Sequence, residues 1–546
     1  MVDFMLLRWC CRTTLWWLFP VLLGAQETAP EAGKCVFAGV VQDSVSGLPL
    51  ARATVKVFSR STGGPGYAAT TGAEGAFRFE AIGAGDYTIQ VSAPGYGQAW
   101  AVALKPGQAT AWLHFSGGEQ VTGAVAALDP PAVVSGHVTD AEGEPVAQGP
   151  VGALARQWHR GTAYLGPAGG TETDGRGAYR LVLQAGRYFL TAGPRVGDSL
   201  PEVFSDGPGE PEKIVAPVVY RNLPDTNGAT EFDLHPGEQL AGIDFKLPTV
   251  PAYHVRGTVR GAADFLNGSY LLLEPRDGRR LRTSETALKN GAFDFAGVPP
   301  GEYVVQTTGR SSEYAASNMP VRVTDRDLNG IVLQVRPPLS LSGHVSLEGG
   351  GAQDWPRVQL RLTLLEYRLV GQAVEMANAK PDGSFHVGGL STGRYAVDLV
   401  APGNLYVESI SYNQREAPGG ILDLSNGAAG ELDVVLASGT GQIGGTIRWP
   451  DAVPGAAAAV PGNIMAVLAP ADGVTGNTGA RIIGVDQTGG FQFRNLGPGR
   501  YYVWAVTHFS DQWQNMDFVT EMEDRGVAVD LPEKGSAQVE ITEVME

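Results

Sequence analysis

Hydrophobic and polar residues alternate with a period of two along much of this chain. In the stretch 76–92 the hydrophobic residues that follow this spacing are Phe77, Phe79, Tyr87, Ile89 and Val91. Successive side chains of a strand point to opposite faces, so the spacing predicts two strands that turn one face toward a core. Helical spacing of three and four residues is almost absent. The pattern therefore predicts an all-β protein.

This stretch recurs along the chain. Each copy has a glycine, an aromatic residue two positions later, a second glycine, and a tyrosine two positions after that. The copies are Gly75, Phe77, Gly85 and Tyr87; Gly177, Tyr179, Gly186 and Tyr188; Gly291, Phe293, Gly301 and Tyr303; Gly383, Phe385, Gly393 and Tyr395; and Gly489, Phe491, Gly499 and Tyr501. We interpret each copy as a β-hairpin in which the second glycine permits the positive φ of a tight turn. Five copies predict a tandem array of one kind of domain.

The domain size follows from a second glycine-bearing strand upstream of each hairpin. These glycines are Gly39, Gly136, Gly257, Gly343 and Gly445. Their separations of 97, 121, 86 and 102 residues fit small β-sandwiches. We expect five sandwiches, at residues 35–116, 132–248, 252–336, 339–437 and 441–546. The second carries an insertion at about residues 195–237.

The first 25 residues are predicted to be a signal peptide. An apolar run at residues 15–25 follows Arg8 and Arg12, and cleavage is expected after Ala25. An uncleaved N-terminal anchor is the alternative. We expect a mature chain without a transmembrane domain, secreted or periplasmic, in which Cys35 is the one remaining cysteine.

The residues of the first copy resemble a known family. The strand and turn at residues 39–55, the turn at Gly75 and the hairpin at 77–91 are similar to the carboxypeptidase regulatory-like domain, which is also compared with Cna B-type repeats. Residues 136–145 repeat the strand-turn-proline element, and the other three copies resemble it more weakly. The overall layout resembles that of large secreted bacterial proteins that contain this domain. The resemblance implies transthyretin-like (prealbumin-type) β-sandwiches and a tendency to bind carbohydrate. It implies no reaction.

Charge and composition exclude several classes of function. With 40 Lys and Arg against 57 Asp and Glu, the net charge is -17, which lacks the basic surface that nucleic acid requires. Gly 74 and Pro 36 indicate a chain rich in turns. No nucleophile motif or phosphate-binding loop is found, and the histidines suggest no zinc site. We expect no catalytic residue, no metal and no cofactor.

Aromatic residues are the best candidates for ligand contact, because an exposed indole stacks on the apolar face of a sugar. In the strand around residues 501–504, Tyr501 shares a face with Val503, which places Tyr502 and Trp504 together on the other face. The full set of candidate ligand-binding residues is Tyr96, Trp100, Trp158, Tyr164, Tyr502 and Trp504. The alternative is that these side chains pack one domain against another.

Two functions follow from this set. The first is a secreted, non-enzymatic protein that binds polysaccharide through its sandwich surfaces. The second is an extracellular structural or adhesion scaffold whose partner is a cell-surface protein. A planar row of exposed aromatic side chains favours the first, and tryptophans buried between domains favour the second.

Overall fold

The computed structural model describes residues 34–545 with gaps at 61–65, 106–107, 160–161, 195–202, 206, 208–209, 262–269, 277–283, 308–314, 316, 351–356, 366–373, 402–404, 428–429, 449–463, 472–479 and 507–521. The predicted signal peptide lies outside these residues. The described chain is all-β, as expected, and is built as a series of two-sheet sandwiches. Its one helical element is a 3₁₀ turn, Pro418–Gly420, within the described part of the fourth sandwich.

The first sandwich extends further than its sequence suggests. Its strands are Cys35–Asp43 (β1), Thr54–Ser59 (β2), Tyr67–Thr70 (β3), Ala76–Ile82 (β4), Gly85–Ser92 (β5), Val102–Lys105 (β6), Gln108–Thr110 (β7), Trp112–Phe115 (β8) and Gln120–Leu128 (β9). They form the sheets β4-β1-β9-β6-β7 and β3-β2-β5-β8. Because β9 pairs in parallel with β1 and completes the core, the sandwich runs past the expected end at residue 116.

The second sandwich carries the insertion. Its strands are Ala132–Thr139 (β10), Pro150–His159 (β11), Thr162–Glu172 (β12), Ala178–Leu183 (β13), Gly186–Ala192 (β14), Lys213–Val215 (β15), Val218–Val219 (β16), Phe232–Leu234 (β17), Gln239–Ala241 (β18) and Phe245–Lys246 (β19). β15 leaves the sandwich and pairs with Thr249–Pro251 (β20) in the linker. The insertion thus forms a two-stranded ribbon at the junction with the third sandwich.

The third and fourth sandwiches repeat the same plan. The third has Tyr253–Arg260 (β21), Tyr270–Pro275 (β22), Ser284–Ala287 (β23), Ala292–Val298 (β24), Gly301–Thr307 (β25), Asn318–Val323 (β26) and Leu328–Gln334 (β27). The fourth has Leu339–Leu347 (β28), Gln359–Leu364 (β29), Val374–Asn378 (β30), Ser384–Leu390 (β31), Arg394–Val400 (β32), Leu405–Tyr412 (β33), Arg415–Glu416 (β34), Ile421–Asp423 (β35) and Glu431–Ser438 (β36). In each, a late strand, β27 or β36, runs parallel to the first.

The fifth sandwich contains a strand that is buried on both faces. Its strands are Gly441–Ile447 (β37), Met465–Pro470 (β38), Arg481–Gly484 (β39), Gly490–Leu496 (β40), Gly499–Val506 (β41), Val527–Leu531 (β42), Ser536–Ile541 (β43) and Val544–Met545 (β44). One face of β41 enters the core between the two sheets. The other enters a second cluster, which contains residues from β38, β41 and β44.

The repeated residues lie in the cores, as predicted. The aromatic residues Phe77, Tyr179, Phe293, Phe385 and Phe491 and the tyrosines Tyr87, Tyr188, Tyr303, Tyr395 and Tyr501 are all buried. The second glycine has the positive φ predicted for it in four of the copies, with 141° at Gly85, 150° at Gly186, 145° at Gly393 and 149° at Gly499. The glycine before each aromatic residue also has a positive φ, for example 66° at Gly75. The four cores after the first lie within the ranges expected for them.

In the third copy of the repeat, the second glycine also has a steric role. A Cβ atom on Gly301 would lie 3.1 Å from the ring of Tyr303, so the glycine makes room for the tyrosine two positions later. The hydroxyl of that tyrosine donates a hydrogen bond to the carbonyl oxygen four residues before it. In Tyr303 the acceptor is Pro299, at 2.9 Å, and in Tyr501 it is Gly497, at 2.8 Å. The buried phenol is thereby satisfied.

Candidate functional site

Two loops form one end of the first sandwich. They are residues 44–53, between β1 and β2, and residues 93–101, between β5 and β6, and we call them together the first-sandwich loop end. The loops lie together because Thr54 at the start of β2 pairs with Ser92 at the end of β5. The hydroxyl of Tyr96 donates to Oδ2 of Asp43 over 2.9 Å and joins them.

The Asp43 carboxylate organises this end of the sandwich. Its Oδ1 accepts the backbone N–H groups of Val45 and Ser46 at 2.9 and 2.7 Å. Burial raises the pKa of Asp43, but these hydrogen bonds and the one from Tyr96 outweigh that effect and bring the pKa below its usual value. Burial and the neighbouring carboxylate raise the pKa of Tyr96. The loops are therefore held by an ionised carboxylate and a neutral phenol.

The first-sandwich loop end exposes apolar side chains around this polar link. Val45 is 63% exposed, Leu48 65% and Trp100 50%. The loop end also borders the link to the second sandwich, where the Ser44 hydroxyl lies 2.6 Å from Oδ1 of Asp129. The Val45 side chain lies close to Gly237 of the second sandwich. Val45 and Leu48 lie in the first of the two loops and Trp100 in the second.

The six candidate residues fall at three separate places. Tyr96 and Trp100 share the first-sandwich loop end, with Tyr96 half-buried. In the second sandwich the backbones of Trp158 on β11 and Tyr164 on β12 lie in neighbouring pairs of one ladder. Tyr164 is half-buried, and the side chain of Trp158 lies outside the described residues. The structure therefore forms no single row from the candidates it describes.

The remaining pair is buried, contrary to its expected exposure. Tyr502 and Trp504 do share one face of β41, as the alternation predicts, but Trp504 is only 1% exposed. Residues of the same sandwich cover this face, among them Met522 and Met545. A stacking role for this pair is thus wrong in this structure, and so is the alternative in which a neighbouring domain covers it.

Trp112, which was not among the candidates, joins the first sandwich to the fifth. Its indole Nε1 donates to the carbonyl oxygen of Gly484 over 2.8 Å. The hydroxyl of Thr110 lies 2.7 Å from the carbonyl oxygen of Val485. A Cβ atom on Gly484 would collide with that of Ala111, so glycine permits this close approach. No sequence pattern marks the contact, because its two sides are more than 370 residues apart.

A side-chain amide completes this first–fifth interface. Oε1 of Gln487 accepts the N–H of His114 at 3.0 Å, and Nε2 of Gln487 donates to the His114 carbonyl at 2.7 Å. β8 is an edge strand, so the amide occupies backbone groups that would otherwise be open. Arg60 packs over the Trp112 ring at 4.6 Å. Burial and the charge of Arg494 in the fifth sandwich lower the pKa of Arg60.

The described residues contain no group of three or more His, Cys, Asp or Glu side chains arranged to hold a metal ion. His235 and Glu238 stand three positions apart, but Glu238 accepts the backbone N–H of His235 in an exposed turn. Cys35 is buried, and its thiol donates to the carbonyl of Ser116. Nor does this part of the chain include a helix with the length and apolarity to cross a membrane.

Comparison with known families identifies the domain that carries the loop end. Residues 36–116 match the family described as Carboxypeptidase regulatory-like domain. The first sandwich matches the carboxypeptidase regulatory-like domain. The resemblance noted in residues 39–91 is thereby confirmed for this sandwich. No curated protein sequence matches the chain, and no catalytic family is detected.

Solved structures that match parts of this chain include the TIE protein and two pilins. The TIE protein of Bacillus anthracis is 11% identical, with 72% of this chain and 68% of that chain covered and a TM-score of 0.17. A streptococcal ancillary pilin is 12% identical, with 54% and 99% covered and a TM-score of 0.17. The major pilin subunit BcpA of Bacillus cereus is 12% identical, with 56% and 99% covered and a TM-score of 0.15. At these TM-scores the likeness says nothing about function.

The carboxypeptidase regulatory-like sandwich thus has two distinct surfaces. Its β8 edge is occupied by the fifth sandwich through Trp112 and Gln487. Its loop end leaves Val45, Leu48 and Trp100 at the surface. The first surface is an interface between two sandwiches, and the second is exposed at these three side chains.

Proposed function

We propose that this chain is a non-enzymatic extracellular scaffold that binds a protein partner through the first-sandwich loop end. The signal peptide expected at residues 1–25 would export it. The sandwiches would hold the loop end in a fixed orientation.

The observation that carries this proposal is the use of aromatic side chains within and between sandwiches. Trp112 joins the first sandwich to the fifth, and Trp504 is buried within the fifth. At the junction of the fourth and fifth sandwiches, Tyr406 packs on Gly497. Burial, together with Glu408, raises the pKa of Tyr406 to about 12, so it packs as a neutral phenol. Aromatic residues used in this way favour a scaffold over a row of sugar-stacking platforms.

The shape of the loop end favours a protein partner. Val45 and Leu48 are aliphatic and lie in the same loop, so they offer apolar contact without the flat face that a sugar ring requires. Trp100 adds one indole, a side chain that is frequent at the centre of protein interfaces. The Asp43–Tyr96 hydrogen bond holds both loops in place before a partner arrives, which lowers the entropic cost of binding.

To test this, the mature chain is immobilised, cell-surface proteins of the producing organism are passed over it, and each retained protein is purified and titrated against the chain. We expect at least one protein that binds saturably as a purified species, with an affinity that falls about tenfold or more in Leu48→Asp. The matched control is Met376→Asp, because Met376 is 59% exposed on β30 of the fourth sandwich. Equal binding by the native chain and Leu48→Asp would place the partner surface elsewhere and overturn the proposal.

Carbohydrate binding is the second candidate, and the half-exposed Trp100 is the observation that favours it. The mature chain would be titrated with a panel of soluble and insoluble polysaccharides. Saturable binding that is lost in Trp100→Ala but kept in Tyr270→Ala, which removes another exposed aromatic residue, would establish a glycan site at the loop end. The scaffold proposal predicts no saturable binding to any member of the panel.

A further inference from the structure

An apolar cavity lies at the junction of the second and third sandwiches. Its volume is about 410 Å³, within the range of about 300–1,000 Å³ typical of small-molecule sites. The second sandwich contributes Pro217 and Val218, the linker Pro248 and Val250, and the third sandwich Leu273 and Val298 among other residues. The cavity therefore depends on both sandwiches and on the chain that connects them.

The wall of this cavity is rich in proline and poor in charge. Seven of its lining residues are proline: Pro217, Pro224, Pro248, Pro251, Pro275, Pro299 and Pro300. Proline has no backbone N–H and a fixed φ, so this wall offers rigid apolar rings and few hydrogen-bond donors. The described residues that line the cavity include no Asp, Glu, Lys, Arg or His. An ion would be desolvated here without compensation.

The ribbon of β15 and β20 holds the two sides of the cavity at a fixed separation. Ile214 pairs with Val250, so a buried residue of the insertion supports a residue of the cavity wall. Beyond the ribbon, the N–H of Ala252 donates to the carbonyl of Glu212 over 2.8 Å. His254 then bridges the sandwiches, with Nε2 at 3.2 Å from Glu212 and Nδ1 at 2.6 Å from Asp294. The cavity therefore lies at a junction whose two sandwiches are held together by backbone and side-chain contacts.

Two polar side chains line the cavity, and each already has one hydrogen bond. The Tyr303 hydroxyl donates to Pro299. Oδ1 of Asn222 accepts the N–H of Lys246 at 2.9 Å, so the amide N–H groups of Asn222 are the atoms with which it can donate to a ligand. A ligand with one acceptor and otherwise apolar surface matches this lining.

We infer that this junction cavity is a binding site for an uncharged, largely apolar small molecule with one hydrogen-bond acceptor directed toward Asn222. The volume, the proline-rich wall and the lack of charge among its described residues carry the inference together. The site goes beyond the proposed scaffold function, since it lies in a different pair of sandwiches from the first-sandwich loop end.

The probe for this site is N-phenyl-1-naphthylamine, an uncharged apolar dye whose emission rises in apolar surroundings. We expect the native mature chain to bind one dye molecule saturably. Val250→Trp would fill the cavity from β20 and weaken dye binding about tenfold or more. The matched control is Val400→Trp, because Val400 is 52% exposed on β32 of the fourth sandwich, and it should bind the dye as the native chain does.

A second variant guards against a general effect of a new tryptophan. Asn222→Asp keeps the oxygen that accepts the Lys246 N–H and adds a charge at the cavity, so it should also weaken dye binding while the thermal midpoint stays near the native one. Absence of saturable binding to the native chain would overturn the inference. So would native-like binding in Val250→Trp. Neither result would affect the test on Leu48.

Discussion

At the scale of single residues, a small network of charged and polar side chains holds the start of the third sandwich in place. Arg256 donates to Asp294 over 2.9 Å and to Asp327 over 2.7 Å. Asp327 also accepts the backbone N–H of His254 at 3.0 Å. His254 in turn lies against Glu212 of the second sandwich. Because these groups are partly exposed, each ion pair by itself contributes little to the free energy of unfolding. Together they fix the geometry of the junction between the second and third sandwiches.

Asp327 gives this network a dependence on pH. The hydrogen bond from His254 lowers the pKa of Asp327 below its ordinary value of about 3.8, and Arg256 adds to the effect. A carboxyl group whose pKa is lowered by folding stabilises the folded state above its ordinary pKa, and that contribution is lost as pH falls through the folded value. We expect Asp327→Asn to lower the thermal midpoint at pH 7, and the difference from the native chain to shrink below about pH 3.8.

Thermal unfolding followed by circular dichroism at pH 7 and near pH 3 measures this difference. Asp325→Asn is the matched control, because Asp325 lies two positions away in the same connection and accepts a hydrogen bond from the hydroxyl of the adjacent Thr324. A difference between Asp327→Asn and the native chain that does not change with pH would contradict the argument.

At the scale of elements, β41 is stabilised by a strand far later in the chain. β44 pairs in parallel with the end of β41, where Ala505 lies opposite Val544 and Val506 opposite Met545. The Met545 side chain is buried in the cluster that contains Trp504. The last strand therefore covers a face that would otherwise be an exposed aromatic surface.

Met545→Ala should lower the free energy of unfolding of the fifth sandwich by about 2 kcal/mol, the lower end of the cost for removing a buried methionine side chain. Met376→Ala removes the same atoms from an exposed position and should change it by less than about 0.5 kcal/mol. Urea unfolding followed by tryptophan emission compares the two variants. Equal effects would mean that β44 does not cover Trp504 in solution.

Sequence patterns predict the hairpins well, because the glycines and aromatic residues that define each hairpin lie within a few positions of one another along the chain. Gly383 and Phe385 stand in one turn and one strand, and both behave as expected. The strand β9 carries no repeat motif, and the partner β1 that makes it part of the first core lies some 80 residues earlier, so local patterns do not predict it. The burial of Trp504 was missed because alternation places it on the second face of β41 without showing what covers that face.

At the scale of the whole molecule, the first and fifth sandwiches meet although they are at opposite ends of the array. The contact uses Trp112, Thr110 and His114 on one side and residues 484–487 on the other. Most of its hydrogen bonds end on backbone carbonyl groups, which every residue type supplies. Sequence patterns therefore could not predict it, even though each sandwich was predictable.

Trp112→Ala should release this contact and enlarge the molecule. It removes the indole that donates to Gly484 and on which Arg60 packs, so both the hydrogen bond across the interface and the contact with Arg60 are lost. Small-angle X-ray scattering of the mature chain should report a larger radius of gyration for Trp112→Ala than for the native protein. Trp100→Ala is the control, since its indole is half-exposed at the loop end. An unchanged radius in Trp112→Ala would show that the first–fifth interface does not depend on it.

The parallel pairing of an early and a late strand in each sandwich has a mechanical consequence. In the first sandwich the register of β1 and β9 runs from Val36 opposite Gln120 to Asp43 opposite Leu128, so the chain enters at one end of the pair and leaves at the other. A force that stretches the protein would slide these strands along each other and load their hydrogen bonds together, in shear, instead of opening them one by one. The few bonds between the first and fifth sandwiches would yield before that. Under tension the array would first lengthen as the interface between the first and fifth sandwiches separates. The individual sandwiches would then resist further extension through their parallel strand pairs.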